Sequence, residues 1–295
     1  MKARIYALIA PKARKAVVFR RGPSKCVLIL TWDLKTDTLE SGQWFKGRIY
    51  ERRCDLSPDG ELLVYFAGKH RGPLGTWTAV SRPPFLKALA LWPKGDAWGG
   101  GGLFEGTRQL SLNHRTGDEF VLADGFSLPQ GFRITPFGER PGWGEDDPIC
   151  MTRLAREGWR TVSQGEVSPY SGKGLFRWKI DPPMVMEKSI GKANRALLRV
   201  RLHGIGQRDG SWYAQSAQVV VTKNEQSLEL GEIDWADTDH NGDVLFARGG
   251  CLFRLKQPLI SADAASPKLV ADLNALTFEA RTAPGFATGW PKSAR

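Results

Sequence analysis

The segment "EIDWADTDHNGDVLF", residues 232–246, is the strongest metal candidate in the sequence. Asp237, Asp239, Asn241 and Asp243 recur at every second position, the spacing with which a calcium loop turns successive carboxylate and amide oxygens toward one cation. The twelfth position of such a loop is Arg248, where an EF-hand needs a bidentate glutamate. A cation would meet a positive charge there. The EF-hand is excluded, and two readings stay open: a calcium loop of another type, or an ordinary Asx-stabilised turn.

Other chemistry is thinner. The four histidines are His70, His114, His203 and His240; the first, second and fourth lie in predicted turns and are expected on the surface. No HxH, HExxH or GxSxG occurs, so neither zinc hydrolase nor α/β-hydrolase machinery is indicated. "GGGGLFEG" at 99–106 lacks the Gly-Lys-Ser/Thr of a Walker loop, and "GIGQRDG" at 204–210 reads as a hairpin tip. A metal-dependent enzyme would need inward carboxylates from separated segments, for which Asp55, Glu145, Asp234 and Asp237 are the candidates. Trp98, Trp143 and Trp290 each sit beside Gly or Pro in a turn, and two roles are open to them. They bind a ligand or partner as an aromatic ring, or they pack between neighbouring sheets.

These residues need a scaffold, and composition limits which. The 295 residues include 33 Gly, 18 Pro and 11 Trp, with 41% hydrophobic residues. Frequent turns and large flat side chains favour an all-β chain. Cys26, Cys54, Cys150 and Cys251 are far apart and form no Cys-x-x-Cys, so they are expected to be free thiols of a reducing compartment. The apolar stretch Ile5 to Ala10 is too short for a signal sequence, and no run approaches the roughly 20 apolar residues of a membrane helix. A soluble cytoplasmic protein is expected. The net charge of +11 leaves nucleic acid open as a partner, through the basic run "PKARKAVVFRR" at 11–21.

Hairpin-like units, each two apolar β-rich runs around a turn, begin at residues 15, 61, 101, 148, 196 and 243, in steps of 40 to 48. Propeller blades of four strands occupy roughly 40 to 50 residues. The spacing predicts an all-β propeller of six blades of about 46 residues in one domain spanning 1–295. Closure is expected from the C-terminal segment, with 276–290 as a strand beside "RIYALIA" at 4–10.

Two units carry a resemblance. "CDLSPDGELLVYFAG" at 54–68 is similar to the repeat of TolB-like β-propellers, and "CVLILTWDLKTDTLESG" at 26–42, with Trp32-Asp33, to the exit of a WD-type repeat. Each match spans about one blade. The resemblance implies a fold and no reaction. Asp59-Gly60 is then the corner between an inner strand and the next, and Asp55 is expected to cap it. The functional expectation is a non-catalytic interaction protein that presents long loops, such as 113–131 and 164–174, to a protein partner, with no cofactor. The alternative is a metal-dependent hydrolase or lactonase-type propeller enzyme, with Ca2+ as its ion.

Overall fold

The computed structural model describes residues 2–22, 26–70, 72, 74–168, 175–191, 196–207, 211–222, 226–257 and 266–292. Residues 169–174 of the expected loop and 208–210 of the "GIGQRDG" tip lie outside them. The chain is all-β: among the described residues strands are interrupted by one α-helix and three short 3-10 segments. No helix of these residues is long and apolar enough to cross a membrane. All four cysteines are free. Internal contacts gather in two units, Ala7–Arg153 with Thr277–Arg295, and Met1–Tyr6 with Leu154–Leu276.

The first of these units holds three sheets. The first sheet is β1 (Arg4–Ile9), β2 (Lys15–Arg21), β3 (Cys26–Asp33) and β4 (Thr38–Lys46), paired in chain order; the division between the units falls inside β1. The central runs 16–19 of β2 and 27–30 of β3 are apolar and buried on both faces, as central strands must be, while β4 alternates and forms an edge. At the β3–β4 turn Asp33 accepts from the amides of Lys35 and Thr36, and the buried Trp32 indole donates to Asp37 at 3.3 Å.

The second sheet comprises β5 (Arg48–Ile49), β6 (Asp55–Leu56), β7 (Leu63–Gly68), β8 (Thr76–Ser81) and β9 (Ala88–Pro93). Its order is β5-β7-β8-β9, with β6 also on β7. The "SPDG" corner does join β6 to β7, pairing Asp55 with Val64. The capping residues differ from expectation. Asp59 Oδ1 accepts from Ser57 Oγ (2.6 Å) and Glu61 N (3.1 Å), and Ser57 Oγ accepts from Leu62 N. Asp55, only 1% exposed, instead accepts from Phe104 N at 2.8 Å. Its side chain leaves the turn and ties the second sheet to the third.

That third sheet is β10 (Gly102–Gly106), β11 (Gln109–Leu112) and β12 (Arg133–Pro136), with β11 and β12 parallel. Val64, Val80, Ala90 and Trp92 of the second sheet pack on Phe104, Leu110 and Leu112 of the third. Two apolar sheet faces are thereby removed from water at once.

The other unit holds two antiparallel sheets. One is β13 (Trp159–Ser163), β14 (Trp178–Ile190), β15 (Ala196–Ile205), β16 (Tyr213–Val221) and β17 (Ser227–Ile233). The second is β18 (Trp235–Thr238), β19 (Val244–Arg248), β20 (Cys251–Leu255) and β21 (Lys268–Asp272).

Two sequence expectations are corrected. The hairpin at Pro148 is replaced by α1 (Asp147–Arg156), followed by β13. Asp147 and Pro148 at the first turn suit a helix start, since proline there lacks only an orphan N–H and the carboxylate meets the positive end of the dipole. Ile149, Cys150 and Arg153 then form its buried side. The units begun at 148 and 196 share one five-stranded sheet, so the described residues form five sheets where six repeats were counted.

The second correction is the tail. Residues 276–290 form no strand; they carry a 3-10 turn at Gly285–Thr288, and Pro284 and Pro291 withhold the amides a ladder needs. The tail is nonetheless tied to the unit of the first three sheets. Arg281 Nη1 donates to Ser41 O and Gln43 Nε2 to Arg281 O. Phe278 meets Trp44, Phe286 meets Phe85 and Trp290 meets Phe132, with ring centroids 6.1, 5.8 and 5.0 Å apart.

Candidate interaction surface

The acidic loop contains its own cation. Asp239 and Asp243, 7% and 8% exposed, both accept from Nη1 of Arg254, which comes from β20 and is itself 3% exposed. Asp239 also accepts from the amides of Asn241 (2.8 Å) and Asp243 (3.0 Å), and Asp243 from Gln257 N (2.8 Å). Asp237 faces a different partner, Lys188 Nζ at 2.6 Å. Asn241 enters the loop through its backbone amide. Two lysine or arginine side chains thus engage the carboxylates that the spacing offers to calcium. Among the described residues no group of three or more His, Cys, Asp or Glu side chains is placed to hold a metal.

The four carboxylates considered for an enzyme divide between the two units. Asp55 and Glu145 belong to one unit, Asp234 and Asp237 to the other. Asp234 accepts from Ser211 Oγ and from Ile5 N at 3.4 Å.

His114 departs from expectation: it is fully buried rather than on the surface. Its Nε2 lies 2.8 Å from Thr78 Oγ1, and its Nδ1 lies 2.7 Å from Glu119 O. Glu119 O is a carbonyl and can only accept, so Nδ1 must donate to it; the neutral ring's Nε2 then accepts from Thr78 Oγ1, which itself accepts from Gly101 N at 2.7 Å. The imidazole proton therefore sits on Nδ1 and is donated to Glu119 O. Burial pushes the His114 pKa down to about 4, against the opposing pull of that carbonyl. His203 is also lowered, first by burial and then by the charge of Arg201, and its Nε2 is 2.8 Å from Ser216 Oγ.

The three tryptophans separate into two kinds. Trp290 packs on Phe132 and the apolar cluster between the second and third sheets, the packing role. Trp98 and Trp143 are 58% and 63% exposed. Their turns are neighbours: Gly99 N donates to Gly144 O at 2.9 Å. The side chain that locks them was not singled out from sequence. Arg53, 1% exposed, donates through Nη1 to Ala97 O (2.7 Å) and Gly99 O (2.5 Å) of one turn, and through Nε to Asp146 and Nη2 to Glu145 beside the other. Asn113 completes the frame, its backbone O accepting from Gly100 N (2.7 Å) and its Oδ1 from Gly142 N (2.9 Å).

The glycine run at 99–102 is required by this frame. Gly101 has φ +80, and a Cβ there would lie 2.0 Å from Arg53 O. The only sequence signal for Arg53 was its place between Tyr50 and Cys54, two residues of apolar character that are both buried. The guanidinium carbon lies 4.7 Å from the Tyr50 ring centroid and 5.1 Å from that of Phe66. The turns therefore hold two large apolar side chains in water on a backbone fixed by a buried charged network.

No family model matches the chain, and no curated protein does. A solved structure, the crystal structure of the tricorn protease, is similar over 88% of this chain and 21% of its own, with 10% sequence identity and a TM-score of 0.21. The chain thus spans about a fifth of that protein's length. So slight a likeness bears on neither fold nor activity.

Proposed function

We propose that this chain is a non-catalytic interaction protein of the β-propeller type, working in the cytoplasm, whose sheets are blades and whose turns bind a protein partner. The observation that carries the reading is the exposure of Trp98 and Trp143 on turns pinned by the buried Arg53. Tryptophan is the residue most enriched at the energetic centres of interfaces. A pre-fixed backbone loses little conformational entropy on binding. The engagement of Asp239 and Asp243 by Arg254 supports reading the acidic loop as a self-neutralised turn over a calcium loop.

The test is affinity capture from the native host with the wild type and the Trp98→Ala/Trp143→Ala variant as paired baits. A partner held by the wild type and lost by the variant is expected, confirmed by titration of the purified pair. A partner set unchanged by the double substitution would overturn the reading.

A further inference from the structure

The charges around the two tryptophans are layered. Asp96, Glu145 and Asp147 have side chains 45%, 66% and 65% exposed. Their ion-pair partners lie behind them: Lys94, Arg53 and Arg52 have side chains 0%, 1% and 7% exposed. Burial alone would raise the Asp96 carboxyl. The hydrogen bonds from Lys94 Nζ and Trp98 N outweigh it and hold the group below the usual carboxylate range. A ligand arriving from solvent meets carboxylates first, on a chain whose net charge is +11. Arg115, exposed beside Gly142, is a cation at this face and also acts on Asp96.

Resting on the interaction reading above, we infer that the paired turns take a cationic peptide segment of the partner. Its Lys or Arg side chains lie over the faces of Trp98 and Trp143 and pair with Asp96, Glu145 and Asp147. Indole is the strongest aromatic partner for a cation, and a carboxylate beside it supplies the counter-charge. The same carboxylates repel a phosphate backbone, which sets this face against nucleic acid as occupant.

The full-length protein is titrated by fluorescence anisotropy with a fluorescein-labelled Arg-Gly repeat peptide. Glu-Gly and Pro-Gly peptides of equal length and a labelled single-stranded DNA serve as controls. The Arg-Gly peptide is expected to bind, and to weaken as salt is raised. Binding should weaken about tenfold or more in both Trp98→Ala/Trp143→Ala and Glu145→Gln/Asp147→Asn. In the unsubstituted protein the peptide should also shield the exposed tryptophans from acrylamide quenching, a readout that needs no variant to fold.

No Arg-Gly binding, equal binding by the variants with unchanged quenching, or loss of Pro-Gly or DNA binding in the tryptophan variant would overturn the inference. Native capture lost in Trp98→Ala/Trp143→Ala without Arg-Gly binding would overturn the cationic class and leave the interaction reading standing. Unaltered capture would remove the interaction reading itself.

Discussion

Arg254 and Asp243 form a buried ion pair, Nη1 to Oδ2 at 2.9 Å, inside the loop whose acidic spacing mimics a calcium site. The same nitrogen serves Asp239. Removing one partner of a buried pair leaves an uncompensated charge in low dielectric, which costs more than the pair ever contributed.

Arg254→Ala should therefore destabilise the protein by about 3–5 kcal/mol. Calcium should raise the melting temperature of this variant, because it replaces the missing guanidinium. The wild type should melt at the same temperature with calcium or with EDTA. Thermal denaturation in both conditions checks the prediction, and a wild type that EDTA destabilises would contradict it.

The C-terminal tail should act as a strap. Phe278 and Phe286 are 47% and 50% exposed, so each buries about half its surface, and Trp290 is packed more closely on the apolar cluster. Full burial of one such side chain is worth about 1.5–3 kcal/mol. Ending the chain after Leu276 should cost about 3 kcal/mol once the entropy regained by the tail is allowed for. Trp290→Ala should account for more of that loss than Phe278→Ala. A truncated protein that unfolds at the same urea concentration as the full chain would show the tail to be dispensable.

His114 should make the fold acid-sensitive. Its folded-state pKa of about 4 lies below its ordinary 6.5, so the folded state resists a proton that the unfolded chain accepts. The penalty is absent above the unfolded value and grows as pH falls through it. It is complete near the folded value, where it reaches about 3 kcal/mol. Urea denaturation across that window should show stability falling with pH. In His114→Asn, which keeps a donor toward Glu119 O, this component of the slope should vanish. An unchanged slope would assign the acid sensitivity elsewhere.

Much of the local architecture was legible from neighbouring residues. The corner at Asp59-Gly60 depends on bonds between positions two to five apart, Ser57 to Asp59, Glu61 to Asp59 and Leu62 to Ser57. Such turns form from the chain's own nearby groups. The misread segment at 147–156 carried its signal too, in Asp147-Pro148. Repeat spacing outweighed that signal, and α1 formed where a hairpin was expected.

The character of the candidate site was decided by tertiary structure. Arg53 meets its partners across separations of 44, 46, 92 and 93 residues, and Arg254 meets its carboxylates across 15 and 11. Trp98, Trp143 and Trp290 share a Gly- or Pro-flanked turn context in the sequence. Only the packing of Phe132 and its neighbours drew Trp290, partly buried, onto the apolar cluster and left the other two in water. Residue type and spacing by themselves marked corners such as Asp59-Gly60, apolar strand runs such as 27–30 and 63–67, and the side chains with the chemistry to meet a cation or a partner. Whether each of them ended buried, ion-paired or in water was settled by which distant segment arrived beside it, because burial and ion pairing depend on distances that close only when the sheets pack.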